Sequence, residues 1–232
     1  MVYLPGFKLC LSIGGDTPGE VGVKLREAQG LGADLIEVRV DYLREMNLET
    51  LEDILKPYLN RCILTCRSRE EGGKFRGDEG ERATVLENLI GLSPAYIDLE
   101  LSAVKSEGHL IRAAREEGVS VITSWHDFQG TPGVSTLRAK ASEVLKIGQI
   151  GKIVTRANSI SDNVRVLRLY GKPQDGRLVA FAMGHMGVVS RVLAPILGSP
   201  IAYVSLPLEG TAPGQLSIDE LRGFLDVLKA LG

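Results

Sequence analysis

Ile147-Gly148-Gln149-Ile150-Gly151-Lys152-Ile153-Val154-Thr155 is an apolar, glycine-punctuated run with a single lysine inside it. Ile150, Ile153 and Val154 suit a pleated strand covered on both faces. Desolvation disfavours an ammonium and lowers its pKa, which is how a chain turns a surface cation into an amine that attacks a carbonyl. A stem snorkelling to the strand end, or a buried partner for a carboxylate, would account for Lys152 as well. The residues around the run have to decide between them.

The whole chain has 232 residues, 44% of them apolar and 24% charged, the balance of a globular protein that buries a proper core. Lys and Arg number 27 against 29 Asp and Glu, a net charge of −2, so no basic surface points to nucleic acid or to an anionic membrane. The expected partner is a small molecule. Cys10, Cys62 and Cys66 are odd in number, lie in apolar runs and lack metal-ligand spacing. They read as reduced core thiols of a cytoplasmic protein, with a thiol nucleophile as the sharper alternative. Met1 to Phe7 has no signal-peptide pattern, and no run is long enough to span a bilayer.

Outward from Lys152, strand-like runs recur at Leu9–Ile13, Leu35–Val40, Cys62–Thr65, Tyr96–Leu99, Val119–Thr123, Leu178–Ala182 and Ile201–Ser205. With Lys152–Val154 they are spaced by about 25 to 35 residues, the length of a βα repeat. Eight such units nearly exhaust the chain, because a (β/α)8 barrel takes about 250 residues. The expectation is one (β/α)8 TIM barrel domain over 1–232. Amphipathic patterns fill the gaps, among them Val21, Leu25 and Ala28, then Leu51, Leu55 and Tyr58, then Leu137, Ala141, Val144 and Leu145. Ser217 and Glu220 form a capping-box pattern ahead of Leu221, Phe224, Leu225 and Leu228. Pro195 falls within the pattern Ser190 to Leu197 and is expected to kink or shorten that helix.

Several strands carry polar residues that a doubly covered strand should exclude. In the second, Glu37, Arg39 and Asp41 alternate with Ile36, Val38 and Val40. In an antiparallel sheet the charged face would be wet; in a βα series the outer face meets helices, so the charges face the barrel axis. Asp98 and Glu100 lie in the fourth run, and Thr65-Cys66-Arg67 ends the third. His126 shares parity with Ser124 and Ile122, projects at the barrel top, and is suited to proton transfer. Arg191, at the start of a helix after the seventh strand, offers an anion site, or is a solvated helix arginine. Thr211-Ala212-Pro213-Gly214-Gln215 puts a hydroxyl and an amide on the loop after the eighth strand. The lysine and histidine together suggest an imine that serves as electron sink while the histidine removes the adjacent proton.

Glu37-Val38-Arg39-Val40-Asp41, Thr65-Cys66-Arg67-Ser68 with Glu71-Gly72-Gly73, Ser124-Trp125-His126-Asp127-Phe128 with Thr131-Pro132, Lys152, Gly187 to Arg191 and Ala212-Pro213-Gly214-Gln215 come in this order. Over nearly its whole length the chain resembles the type I 3-dehydroquinate dehydratases, Schiff-base barrels of the class I aldolase type. The resemblance implies reversible dehydration of 3-dehydroquinate to 3-dehydroshikimate in the shikimate pathway, without metal or organic cofactor, by a homodimer. It implies a catalytic set of Lys152 as imine former, His126 as general acid/base and Glu71 as the acid that interacts with His126. Arg191, Thr211 and Gln215 would surround the substrate carboxylate and closing loop, Glu37, Arg39 and Arg67 would hold ring hydroxyls, and Ser12 is the weaker carry-over. Thr211 stands where many relatives have serine, and the short N-terminus leaves little for the hairpin that covers the barrel bottom in many relatives. An aldolase or transaldolase type of Schiff-base barrel, and a ligand-binding barrel without catalysis, are the competing readings. An arginine and a glutamine, where a phosphorylated sugar would need a glycine cradle, weigh against the first.

Overall fold

The computed structural model describes residues 6–171, 176–207, 209, 212 and 214–230. The chain alternates β1 (Lys8–Gly14), α1 (Pro18–Gly30), β2 (Leu35–Arg39), α2 (Leu48–Leu55), β3 (Cys62–Thr65), α3 (Glu79–Gly91) and β4 (Tyr96–Glu100). It continues through α4 (Leu101–Ser106), α5 (His109–Glu116), β5 (Ser120–Asp127), α6 (Val134–Ile147), β6 (Ile150–Arg156) and α7 (Ser161–Leu167). Last come β7 (Leu178–Met183), α8 (Val188–Ile196), β8 (Ile201–Val204) and α9 (Ile218–Ala230). The strands form one eight-stranded parallel sheet in the order β7-β6-β5-β4-β3-β2-β1-β8. This is the expected (β/α)8 barrel, with a seam: no ladder joins β7 to β8 among the described residues. Across that seam the rings of Phe181 and Tyr203 stand 6.3 Å apart, so side chains fill what backbone bonds leave open.

Strand parity sorts the side chains into two environments. The outward residues Ile36 and Val38 of β2 pack with Val21 and Leu25 of α1 and Leu51 and Leu55 of α2. In the same way Ile153 of β6 meets Leu137, Ala141 and Val144 of α6. Inward, Leu35, Ile63, Ile122, Ile150, Val179 and Ile201 fill the end of the barrel where the strands begin. The bottom is therefore plugged by the strands' own side chains, and among the described residues no hairpin lies across it. The charged inward residues all come later along their strands, toward the opposite mouth.

Local chemistry fixes the helix ends. Thr17 caps α1 through the N–H of Glu20, with Pro18 in the first turn. Asp78 and Glu81 form a capping box on α3, as Ser217 and Glu220 do on α9. Pro195 neither ends nor kinks its helix early. It lies in the last turn of α8, where the N–H groups of Leu197 and Ser199 close onto Leu193 and Ala194, and the helix begins two residues before Ser190. Val40 leaves the second strand for a 3-10 turn over Val40–Tyr42, in which Asp41 turns back onto Arg39.

Ile153 is fully buried between β6 and α6. Ile153→Ala is expected to destabilise the protein by about 2–5 kcal/mol, read from the urea midpoint at constant slope.

Candidate active site

Lys152 is the third residue of β6 and is only 5% exposed. Its Nζ donates to Glu37 Oε1 and to Asp98 Oδ2, each at 3.0 Å, and lies 4.2 Å from the centre of the Tyr203 ring. Both carboxylates are themselves held. Ser12 Oγ donates to Glu37 Oε2 at 2.5 Å, and Ser124 Oγ donates to Asp98 Oδ1 at 2.6 Å. Arg67 reaches Asp98 Oδ1 at 2.9 Å, Glu100 Oε1 at 3.1 Å and Ser124 Oγ at 2.8 Å. Burial alone would raise both acids. For Asp98 the Arg67 and Lys152 cations outweigh it, and for Glu37 Lys152 and Arg39 do, so each stays below the usual carboxylate range.

One strand away, His126 Nδ1 lies 2.8 Å from Glu71 Oε2, and the His126 backbone N–H donates to the same oxygen at 3.0 Å. An oxygen that accepts a backbone N–H is set to accept from the ring as well, which leaves Nε2 as the free base. Burial, with Arg67 and Lys152 nearby, pushes His126 well below its ordinary pKa, so the imidazole is neutral. Burial raises Glu71 to about 7 against the pull of Arg67. The loop that carries Glu71 is pinned by glycine. Gly72 has φ +79°, and a Cβ there would fall 2.0 Å from the Phe128 ring; only glycine fits between that ring and the left-handed turn.

Arg191 on α8 is 6% exposed, with its guanidinium 4.4 Å over the Phe181 ring. Among the described residues no carboxylate pairs with it, and its Nε has no hydrogen-bond partner. Burial lowers its pKa to about 10. A buried guanidinium without a protein anion is a receptor for a ligand's anion.

Lys152, His126, Glu71 and Arg191 line one cavity at the mouth of the barrel, with Ser12, Glu37, Arg39, Arg67, Ala212 and Gln215. Nine of the ten expected residues are thus brought together; Thr211 lies outside the described residues. Arg39 enters the cavity wall while bound by both nitrogens to Asp41, at 2.8 Å each. The solvated alternative for Arg191 is overturned, because α8 lies against β7 and buries its inner face. The thiol alternative is overturned too: all three cysteines are buried and free, and burial pushes Cys62 up to about 12. Asp98 is the residue to which sequence reasoning gave no role, although its parity with Glu100 already placed it on the axis.

Fold and site together define a parallel barrel enzyme with a buried amine, a neutral imidazole and an anion receptor in one cavity. The family model for type I 3-dehydroquinase matches residues 9–231, and the chain belongs to that family. It is 41% identical over 210 residues to the 3-dehydroquinate dehydratase of Thermococcus gammatolerans, covering 90% of this chain and 93% of that one. The crystal structure of 3-dehydroquinate dehydratase from Geobacillus kaustophilus superposes with TM-score 0.86 at 25% identity, over 97% of this chain and 92% of that one. The enzyme from Aquifex aeolicus gives 0.79 at 31% identity, over 95% and 98%. As a family member this chain is a hydro-lyase that dehydrates 3-dehydroquinate in the shikimate pathway through a Schiff base.

Glu71 gives the site a stability cost with a definite sign. Its folded pKa is raised from 4.5 to about 7, so its contribution is intact below 4.5 and is lost as pH rises through 7. Glu71→Gln removes that dependence. Relative to wild type the variant should gain stability between pH 5 and pH 8, by up to about 3 kcal/mol, measured by urea unfolding at both pH values.

Proposed function

We propose that Lys152 supplies the amine of the Schiff base, that His126 moves the protons, and that Arg191 binds the substrate carboxylate. The observation that carries this reading is their shared cavity, lined by Lys152, neutral His126 and an Arg191 with no carboxylate partner among the described residues. The Lys152 ammonium first passes a proton to Nε2 of His126, its freed amine forms a bond to the ketone carbon, and the carbinolamine hydroxyl takes that proton back and leaves as water to give the iminium. Nε2 of His126 then takes the adjacent proton while the C–H electron pair flows into the iminium, giving the enamine. The enamine expels the β-hydroxyl, which leaves as water with the proton from His126. Hydrolysis of the remaining imine frees the product and the amine.

Asp98 keeps a separate part in this scheme. Glu37 lines the cavity and can turn to a ring hydroxyl, with Arg39, Arg67 and Ser12 around it, whereas Asp98 lies beneath, fixed by Arg67 and Ser124. It remains as counter-ion when the ammonium becomes an iminium, so the positive charge at Nζ is matched throughout. Ionised Glu71 does the same for the imidazolium of His126. Gln215, which lines the cavity, is assigned with Thr211 to the substrate carboxylate.

Borohydride reduction with 3-dehydroquinate should leave a covalent adduct whose mass maps to the peptide bearing Lys152; dehydration without any adduct would remove the imine. His126→Ala should lower kcat by roughly 10²- to 10⁴-fold with KM little changed. Arg191→Ala should instead raise KM by roughly 100-fold, since a buried ionic hydrogen bond is lost.

The chain is further proposed to work as a single barrel domain and to pair as a homodimer in the cytoplasm. Exposed Ile160 and Val164 near α7 and Met186, Val189, Leu193 and Leu197 near α8 support the pairing, because neighbouring apolar side chains of this number suit an interface. Three free thiols fit a reducing compartment. Sedimentation should give twice the mass of one chain, falling to one chain for Leu193→Asp; a monomer in both cases would remove the dimer.

A further inference from the structure

Glu71 stands in a wall with space on both sides. Inward is the cavity that holds Lys152 and His126. Outward is a second cleft of about 520 Å³ between the β3–α3 loop, α3 and α4, lined by Glu71 with Ser68, Phe75, Arg82, Glu100 and Ser102. The carboxylate is divided between them. Oε2 accepts both N–H groups of His126, while Oε1 accepts a long hydrogen bond from Ser102 Oγ at 3.5 Å, on the exposed first turn of α4.

With Oε2 occupied by two donors, a proton on this carboxyl group has to sit on Oε1. We infer that Glu71 titrates through the outer cleft, so that the ionisation of the group behind His126 is set from a face of the barrel that substrate does not touch. The inference rests on the reading that His126 is the proton-transfer group. In it, water in the outer cleft takes the proton from Glu71 Oε1, and the carboxylate left behind is the counter-charge His126 needs when Nε2 accepts the substrate proton. No proton crosses the substrate cavity in this step, and the pair can be reset while the cavity is filled. The active form therefore has Glu71 ionised.

The surroundings are consistent with a group that changes charge near neutrality. Arg67 at the end of β3, Asp98 and Glu100 on β4 and His126 on β5 act on it from the barrel side. Across the cleft stand Arg82 and Glu79 of α3 and Arg69, Glu70 and Asp78 of the loop. Arg82 is committed to Glu79 and Glu100, and Arg67 to Asp98 and Glu100, so among the described residues Glu71 has no cation of its own. Its pKa of about 7, raised by burial, agrees with that arrangement.

The test is electrostatic and uses Ser102, which is exposed and outside the substrate cavity. A unit charge about 5–6 Å from Oε1 in a watery cleft is worth about half a pH unit. In the pH profile of kcat, the acid limb should move down by about that much in Ser102→Lys and up in Ser102→Asp. KM should stay level, Ser102→Ala, which removes only a long hydrogen bond, should move the limb less than either charged variant, and both charge shifts should shrink in high salt. Profiles superposable on wild type, or Lys and Asp variants shifting in the same direction, overturn the inference, provided circular dichroism shows both folded. If wild-type protein gives no Lys152 adduct on borohydride reduction, or His126→Ala keeps full turnover, it is the underlying catalytic reading that fails.

Discussion

The site depends on the cost of charge inside a parallel barrel. An isolated ion there costs several kcal/mol, and attraction offsets that only when partners are close and their other lone pairs are filled. The barrel brings the partners close in an alternating chain: Arg82, Glu100, Arg67, Asp98, Lys152 and Glu37, with successive contacts between 2.9 and 3.1 Å. Lys152 is therefore one member of a lattice that reaches from α3 through the barrel axis to β2. Removing any interior member exposes its two neighbours to the desolvation cost, so function and stability are coupled along it.

The same constraint explains where the charges sit along the strands. Near the strand beginnings the inward positions are Leu35, Ile63, Ile122 and Ile150, and they need no partners. Two residues further on, the same strands present Glu37, Thr65, Ser124 and Lys152. The apolar layer keeps water from the bottom and lowers the local dielectric above it, which strengthens each ion pair and raises the cost of an unpaired charge. At the β7–β8 seam the axis is filled instead by Phe181 and Tyr203, whose faces meet the cations of Arg191 and Lys152.

Much of this was legible from strand parity. The alternation of Ile36 and Val38 with Glu37 and Arg39 placed charge on the axis, and the parity of Ile122, Ser124 and His126 placed the imidazole at the mouth. Residue roles came from the family resemblance rather than from pattern. What the sequence could not reveal was pairing across strands, because register is a property of the assembled sheet. Asp98 looked like one acid among several until β4 brought it against Lys152, and Tyr203 looked like an ordinary strand residue. Arg191 on a helix read equally as solvated, since its burial depends on α8 lying against β7. Pro195 misled because a proline in a last helical turn takes away little.

Arg191 is the instructive exception to the lattice. Arg67 and Arg82 are each bound by at least two carboxylate groups, whereas Arg191 has an aromatic face and no carboxylate among the described residues. A protein carboxylate there would stabilise the fold but would compete with any anionic ligand for the same guanidinium. Burial lowers its proton affinity, yet with a pKa of about 10 it stays charged at neutral pH. The cation is thus kept at a cost in folding energy that a bound carboxylate can offset. In the function proposed above, that same charge orients the substrate, with its carboxylate at Arg191 and its ketone at Lys152 among its carboxylates.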